Sequence, residues 1–131
     1  MGYMCSRKNE IALGILGQIQ KAIVRLQERT KNIHSTNDFL LTPEGMEKLD
    51  AACMLLIAIG ESLKGFDRVT DRKVLPTYPS IPWKDIMGVR DIIAHHYFDI
   101  DADEIFEIIH NELGDLSEAI QYFIDSLKDN N

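Results

Sequence analysis

The sequence predicts an all-α protein, an up-and-down bundle of four to five helices. Three observations carry this. Apolar residues recur at helical spacing through most of the chain, and no segment alternates as a strand would. The length of 131 residues, 45% hydrophobic and 27% charged, suits one domain (residues 1–131) around one core. Neither an internal repeat nor a low-complexity tract interrupts it.

Ala12, Ile15, Leu16, Ile19, Ile23 and Leu26 stripe a first helix over about 8–31, with Lys21, Arg25 and Arg29 on its opposite side. Thr42-Pro43-Glu44 starts a second helix, with Thr as N-cap, Pro in the first turn and an acid near the positive dipole end. Its stripe of Leu49, Ala52, Cys53, Leu56, Gly60 and Leu63 runs to about residue 64. Gly65 to Pro82 is a long connection holding Pro76, Pro79 and Pro82, and its first part can extend the second helix. Pro82-Trp83 opens a third helix through about Tyr97. The carboxylates of Asp99, Asp101, Asp103 and Glu104 begin a fourth, and Leu113, Leu116, Ile120, Phe123, Ile124 and Leu127 stripe the last.

No apolar run reaches the roughly 18 residues that would span a bilayer. The N-terminus lacks the basic-then-apolar pattern of a signal peptide, so a soluble, cytoplasmic protein is expected. Cys5 and Cys53 form no disulfide framework, and Cys53 reads as a small buried hydrophobe. The net charge of −7 argues against a general nucleic-acid coat protein, but the charge is unevenly spread. Residues 1–31 carry six Lys/Arg against two Glu; residues 99–131 carry ten Asp/Glu against Lys128 alone. Residues 64–84 are locally basic, with Lys64, Arg68, Arg72, Lys73 and Lys84 against Asp67 and Asp71.

Reactive groups concentrate in Arg90-Asp91-Ile92-Ile93-Ala94-His95-His96-Tyr97. Arginine is a fixed cation with a planar fork suited to phosphate, and histidine exchanges a proton near neutral pH. Together they can break a phosphodiester without a metal. A plainer reading stands beside this one: Arg90 pairs with a carboxylate, His95 caps helix carbonyls, and Asp91 and His95 form a routine i, i+4 pair. At about 100° per residue, Ile86, Val89, Ile93 and Tyr97 face the core, Arg90 sits at the margin, and Gly88, Asp91 and His95 line the far side. Glycine within a helix costs roughly 1 kcal/mol relative to Ala. Close approach of another backbone is one reason to keep it, and this predicts a second copy of the same helix across a two-fold axis. No metal site is expected: His95 and His96 point apart, and His34 and His110 are isolated.

The run from Ile81-Pro82-Trp83 through Gly88-Val89-Arg90 to His95-His96-Tyr97-Phe98 resembles the signature of the HepT-like family of the HEPN superfamily: arginine, four residues, histidine, one residue, tyrosine. Ile59-Gly60-Glu61 resembles the family's motif on the preceding helix, while Asp91 stands where the family often has Asn. The resemblance implies an HEPN-like all-α homodimer, the toxin of a toxin–antitoxin pair. It implies that Arg90 and His95 are the catalytic residues of a metal-independent endoribonuclease at the dimer cleft, with Asp91 in support and RNA as substrate. It further implies that a minimal nucleotidyltransferase antitoxin silences the site by adding AMP to Tyr97. No cofactor and no membrane partner are implied. The competing class is a non-catalytic module of the same fold that binds a nucleotide or the nucleotidyltransferase; a purely structural helical dimer leaves the motif unexplained.

Overall fold

The apolar stripes do seal against one another. The computed structural model describes residues 6–95 and 100–129, and the regular structure of those residues is helical. Three long helices frame it: α1 (Ser6–Arg29), α3 (Pro43–Val69) and α7 (Leu113–Asp129), with a short α2 (Thr36–Leu40) between the first two. Ala12, Leu16, Ile19, Ile23 and Leu26 of α1 are buried against Leu49, Ala52, Leu56, Ile59 and Leu63 of α3 and Leu116, Ile120 and Phe123 of α7 in one core. Polar contacts fix the antiparallel order. Asn9 at the start of α1 donates to the carbonyl of Leu127 near the end of α7 (3.2 Å), and Gln20 and Ser117 bond reciprocally. Lys48 near the start of α3 reaches the carbonyl of Arg29 at the end of α1.

Thr42 caps α3 as its sequence requires, its hydroxyl accepting from the Gly45 amide at 2.9 Å. The helix runs past residue 64 to Val69 and ends where Thr70 turns its hydroxyl back to the carbonyl of Phe66. Asp71 and Arg72 then adopt left-handed backbone (φ 56° and 60°), closing the turn onto the last carbonyls of α3. Beyond it a 3-10 turn, Leu75–Thr77, leads to Trp83, which is pinned by its indole N–H on the carbonyl of Tyr78 (2.9 Å) and packs on Phe123.

Two expectations need correction. The third helix is not continuous: it divides into α4 (Trp83–Met87) and α5 (Val89–His95) at Gly88, which caps α4 with φ −88° and ψ 0°. The fourth and last helices are instead one continuous rod. Asp101 caps α6 (Ala102–Glu107), and a π-helical turn, Ile108–Glu112, joins it directly to α7. The wider turn shifts the apolar register between Ile105 and Leu113, so a 3.6-residue period read along the chain breaks there.

Candidate active site

The site rests on one close approach. A Cβ on Gly60 would lie 2.8 Å from the carbonyl oxygen of Ile86 and 3.3 Å from Cγ1 of Val89, so the absence of a side chain lets α4 and α5 lie directly on α3. At Gly88, where the expected approach is that of a second copy of the chain, a Cβ would meet within this chain only the carbonyls of Lys84 and Asp85 in its own turn, and the residue caps α4. Val89 and Ile93 are buried and Ile86 packs partly buried on the core, which sets the roll of α5 as its spacing predicts. Arg90 and Asp91 therefore lie on the exposed surface.

One residue beyond Gly60, Glu61 accepts a hydrogen bond from Nη1 of Arg90 at 2.7 Å. The arginine side chain remains 60% exposed, so most of its donors still face solvent. Glu61 is also met by Nζ of Lys64 at 3.5 Å. The Arg90 hydrogen bond holds the Glu61 carboxyl below its ordinary range, opposed by partial desolvation and assisted by the charges of Lys64 and Arg90. A carboxylate held by two cations leaves a net positive cluster, and its principal guanidinium is fixed at one end and open at the other. That arrangement suits an incoming phosphate.

Of the residues singled out in sequence, Arg90 and Asp91 are both exposed on α5, and His95 closes that helix, one turn on from Asp91. Tyr97 lies outside the described residues, as does the end of the expected third helix. The role of Glu61 was missed in reading the residues alone, although its place in Ile-Gly-Glu was visible.

The other flank of α5 is electrostatically opposite. A cavity of about 350 Å³ there has an apolar floor that includes Leu56, Ile59 and Val89, with Asp85, Glu104, Glu107 and Glu112 along its walls. Burial, then the charges of Asp85, Glu104 and Glu107, raise the Glu112 carboxyl. Four carboxylates make that flank unfavourable to a polyanion. Burial pushes the Cys53 thiol up to about 11, which disfavours the thiolate that a nucleophile needs. Among the described residues no group of three or more His, Cys, Asp or Glu could hold a metal ion, and no helix is long and apolar enough to cross a membrane.

Comparison with known proteins places this geometry. The model of the family described as "Ribonuclease HepT-like" matches residues 19–123, a span that includes α3, α4, α5 and the whole Arg90–Tyr97 segment. A protein of Methanocaldococcus jannaschii named "Gamma-glutamylcyclotransferase and putative RNase" is 29% identical over 115 residues, covering 88% of this chain and 48% of its own length. The chain thus spans about half of that relative. A "Putative RNase" of Caldanaerobacter subterraneus subsp. tengcongensis is 31% identical over 103 residues, 79% of this chain and 85% of the relative. A second M. jannaschii "Putative RNase" is 32% identical over 73 residues, 56% of this chain and 57% of its own. No solved structure matches significantly. The chain belongs to the HepT-like ribonuclease family of the HEPN superfamily.

Proposed function

We propose that this HepT-like chain is a metal-independent endoribonuclease, the toxin of a toxin–antitoxin pair, acting through Arg90 and His95 at a cleft between two copies. The observation that carries the reading is the exposed Arg90 guanidinium, tethered by Glu61 at 2.7 Å on the short helix that ends in His95. A purely structural arginine would gain little from an exposed pair of this kind. An arginine that must meet a phosphate in one orientation gains from being held.

In the proposed reaction the ribose 2′-hydroxyl attacks its own 3′-phosphate. The P–O5′ bond breaks, leaving a 2′,3′-cyclic phosphate and a free 5′-hydroxyl. One imidazole takes the 2′-hydroxyl proton and a second protonates the leaving oxygen; His95 and His95 of the partner subunit supply the pair. Arg90 binds the non-bridging oxygens and stabilises the charge they gain. Asp91, one turn before His95 on α5, is the supporting residue, a carboxylate that would orient the imidazole. AMP added to Tyr97 by a nucleotidyltransferase antitoxin would place a further anion near Arg90 and compete with substrate for its donors.

Apolar surface beside the site supports the paired assembly. Met54 is 73% exposed, Ile57 is partly buried, and both share the α3 face that carries Glu61 at i, i+3 and i+7 spacing. The test is expression in a bacterial host. Growth should arrest with the wild-type chain and continue with Arg90→Ala or His95→Ala at equal protein levels. Co-expression with a minimal nucleotidyltransferase should restore growth and add the mass of AMP at Tyr97. A harmless wild-type chain that still acquires the adduct would favour the non-catalytic binding module, which the net charge of −7 also favours.

A further inference from the structure

We propose that the C-terminal half of α3 is the track on which the RNA backbone lies, with Lys64 and Arg68 holding phosphates next to the one held by Arg90. The inference rests on the ribonuclease reading and names how that site takes its substrate.

On α3, residues 54, 57, 61, 64 and 68 follow at alternating three- and four-residue steps and form one surface stripe. Its chemistry changes at Glu61. Toward the helix N-terminus it is apolar, with Met54 and Ile57; toward the C-terminus it carries Lys64 and then the exposed Arg68. The left-handed turn that ends α3 adds exposed Arg72 and Lys73 just beyond. Glu61 is the hinge of the pattern, since it contacts Arg90 on one side and Lys64 on the other. Successive cations one helical turn apart are spaced by about 5–6 Å along the axis. Backbone-tracking grooves for single-stranded nucleic acid use such a row of cations. The opposing charges are few. Glu61 is already shared between two cations, Asp71 is paired with Lys8 at 3.3 Å, and Asp67 is offset about 60° around the helix from Lys64 and about 100° from Arg68. The acid-walled cavity disfavours the alternative route on the far flank of α5.

Ordinary structural roles exist for both residues: Lys64 as an i, i+3 partner of Glu61, and Arg68 as a cation in the last turn of α3. Those roles affect stability and leave the salt dependence of RNA binding unmoved, so the two accounts separate experimentally. The probe is a short 2′-O-methyl oligoribonucleotide of mixed sequence, which binds but lacks the attacking hydroxyl. Its affinity for the full chain is measured across a salt series. Each phosphate contact to a single strand contributes about 0.7 to the slope of log affinity against log salt. Lys64→Gln with Arg68→Gln should therefore lower the slope by about 1.4, while Lys31→Gln, the loss of one cation in the exposed turn after α1, leaves it unchanged. Lys64→Arg should keep the wild-type slope. On cleavable RNA the double variant should raise KM several-fold with kcat retained, and its helical content should match wild type.

An unchanged slope in the double variant, alongside Arg90-dependent cleavage by the wild type, overturns the track and leaves the ribonuclease reading standing. A slope that falls as expected in a chain that never cuts RNA supports the track and overturns the ribonuclease reading.

Discussion

Gly60→Ala is the sharpest probe of how the site is built. The added methyl would sit 2.8 Å from the Ile86 carbonyl oxygen, 3.3 Å from Cγ1 of Val89 and 3.6 Å from the Met87 carbonyl oxygen. Two of these obstacles are backbone, so relief requires α4 and α5 to move off α3. Over-packing of this kind costs about 1–3 kcal/mol. Replacing glycine by alanine within a helix returns about 1 kcal/mol. With the obstacle in the backbone, the net effect should be a loss of up to about 2 kcal/mol, a fall in Tm of up to about 10 °C for a chain of this length. Gly65→Ala is the matched control, five residues on in the same helix. Nothing lies within 4 Å of its Cβ position, so it should raise stability by up to about 1 kcal/mol. Thermal and urea unfolding of the three proteins decide the matter. Because displacement of α5 moves Arg90 from Glu61, Gly60→Ala should also lose ribonuclease activity at temperatures where it is fully folded. If Gly60→Ala and Gly65→Ala both raised Tm, helix propensity alone would govern both positions and the close approach would be refuted.

Three further perturbations test other links. Phe123→Ala should cost about 3–5 kcal/mol in denaturant unfolding, because this buried ring packs against Phe66, Tyr78 and Trp83; a loss under 1 kcal/mol would contradict its place at the core. The Glu61 carboxyl is held below 4.5, so its pairing stabilises the fold fully above that pH and ceases to do so as pH falls through the lowered value. Glu61→Gln should remove this acid-side dependence, and a wild-type and variant difference that grew on acidification would have the wrong sign. Glu112 behaves oppositely: its raised carboxyl, crowded by Asp85, Glu104 and Glu107, penalises the fold at neutral pH, with no penalty well below 4.5. Glu112→Gln should raise Tm at pH 7 and lose that advantage near pH 4.

The long helices were legible because their stripes persist over many turns. The buried positions of α1 and α7 lie on the faces that periodicity assigned, and Thr42 capped α3 as its neighbours required. What escaped was short or depended on register. The five-residue α2 is too brief to show a period, although it buries Phe39. The break at Gly88 is a local cap that a sliding window averages away. The π-turn at Ile108–Glu112 reads as an interruption because its register differs. In the site, the position of Arg90 at the margin of its helix followed from spacing. Its bond to Glu61, 29 residues earlier, is a tertiary fact that no local period encodes. The close approach at Gly60 is hidden for the same reason: a glycine in sequence announces an exception without saying which neighbour requires it.

The proposed activity is cleavage of RNA by Arg90 and His95 through the RNA's own 2′-hydroxyl. The most direct measurement is end-group analysis of RNA incubated with the purified chain in EDTA. It should find 2′,3′-cyclic phosphates and 5′-hydroxyls with the wild type and none above background with Arg90→Ala or His95→Ala. Full-rate cutting by His95→Ala, or activity lost in EDTA and restored by a divalent ion, would contradict it.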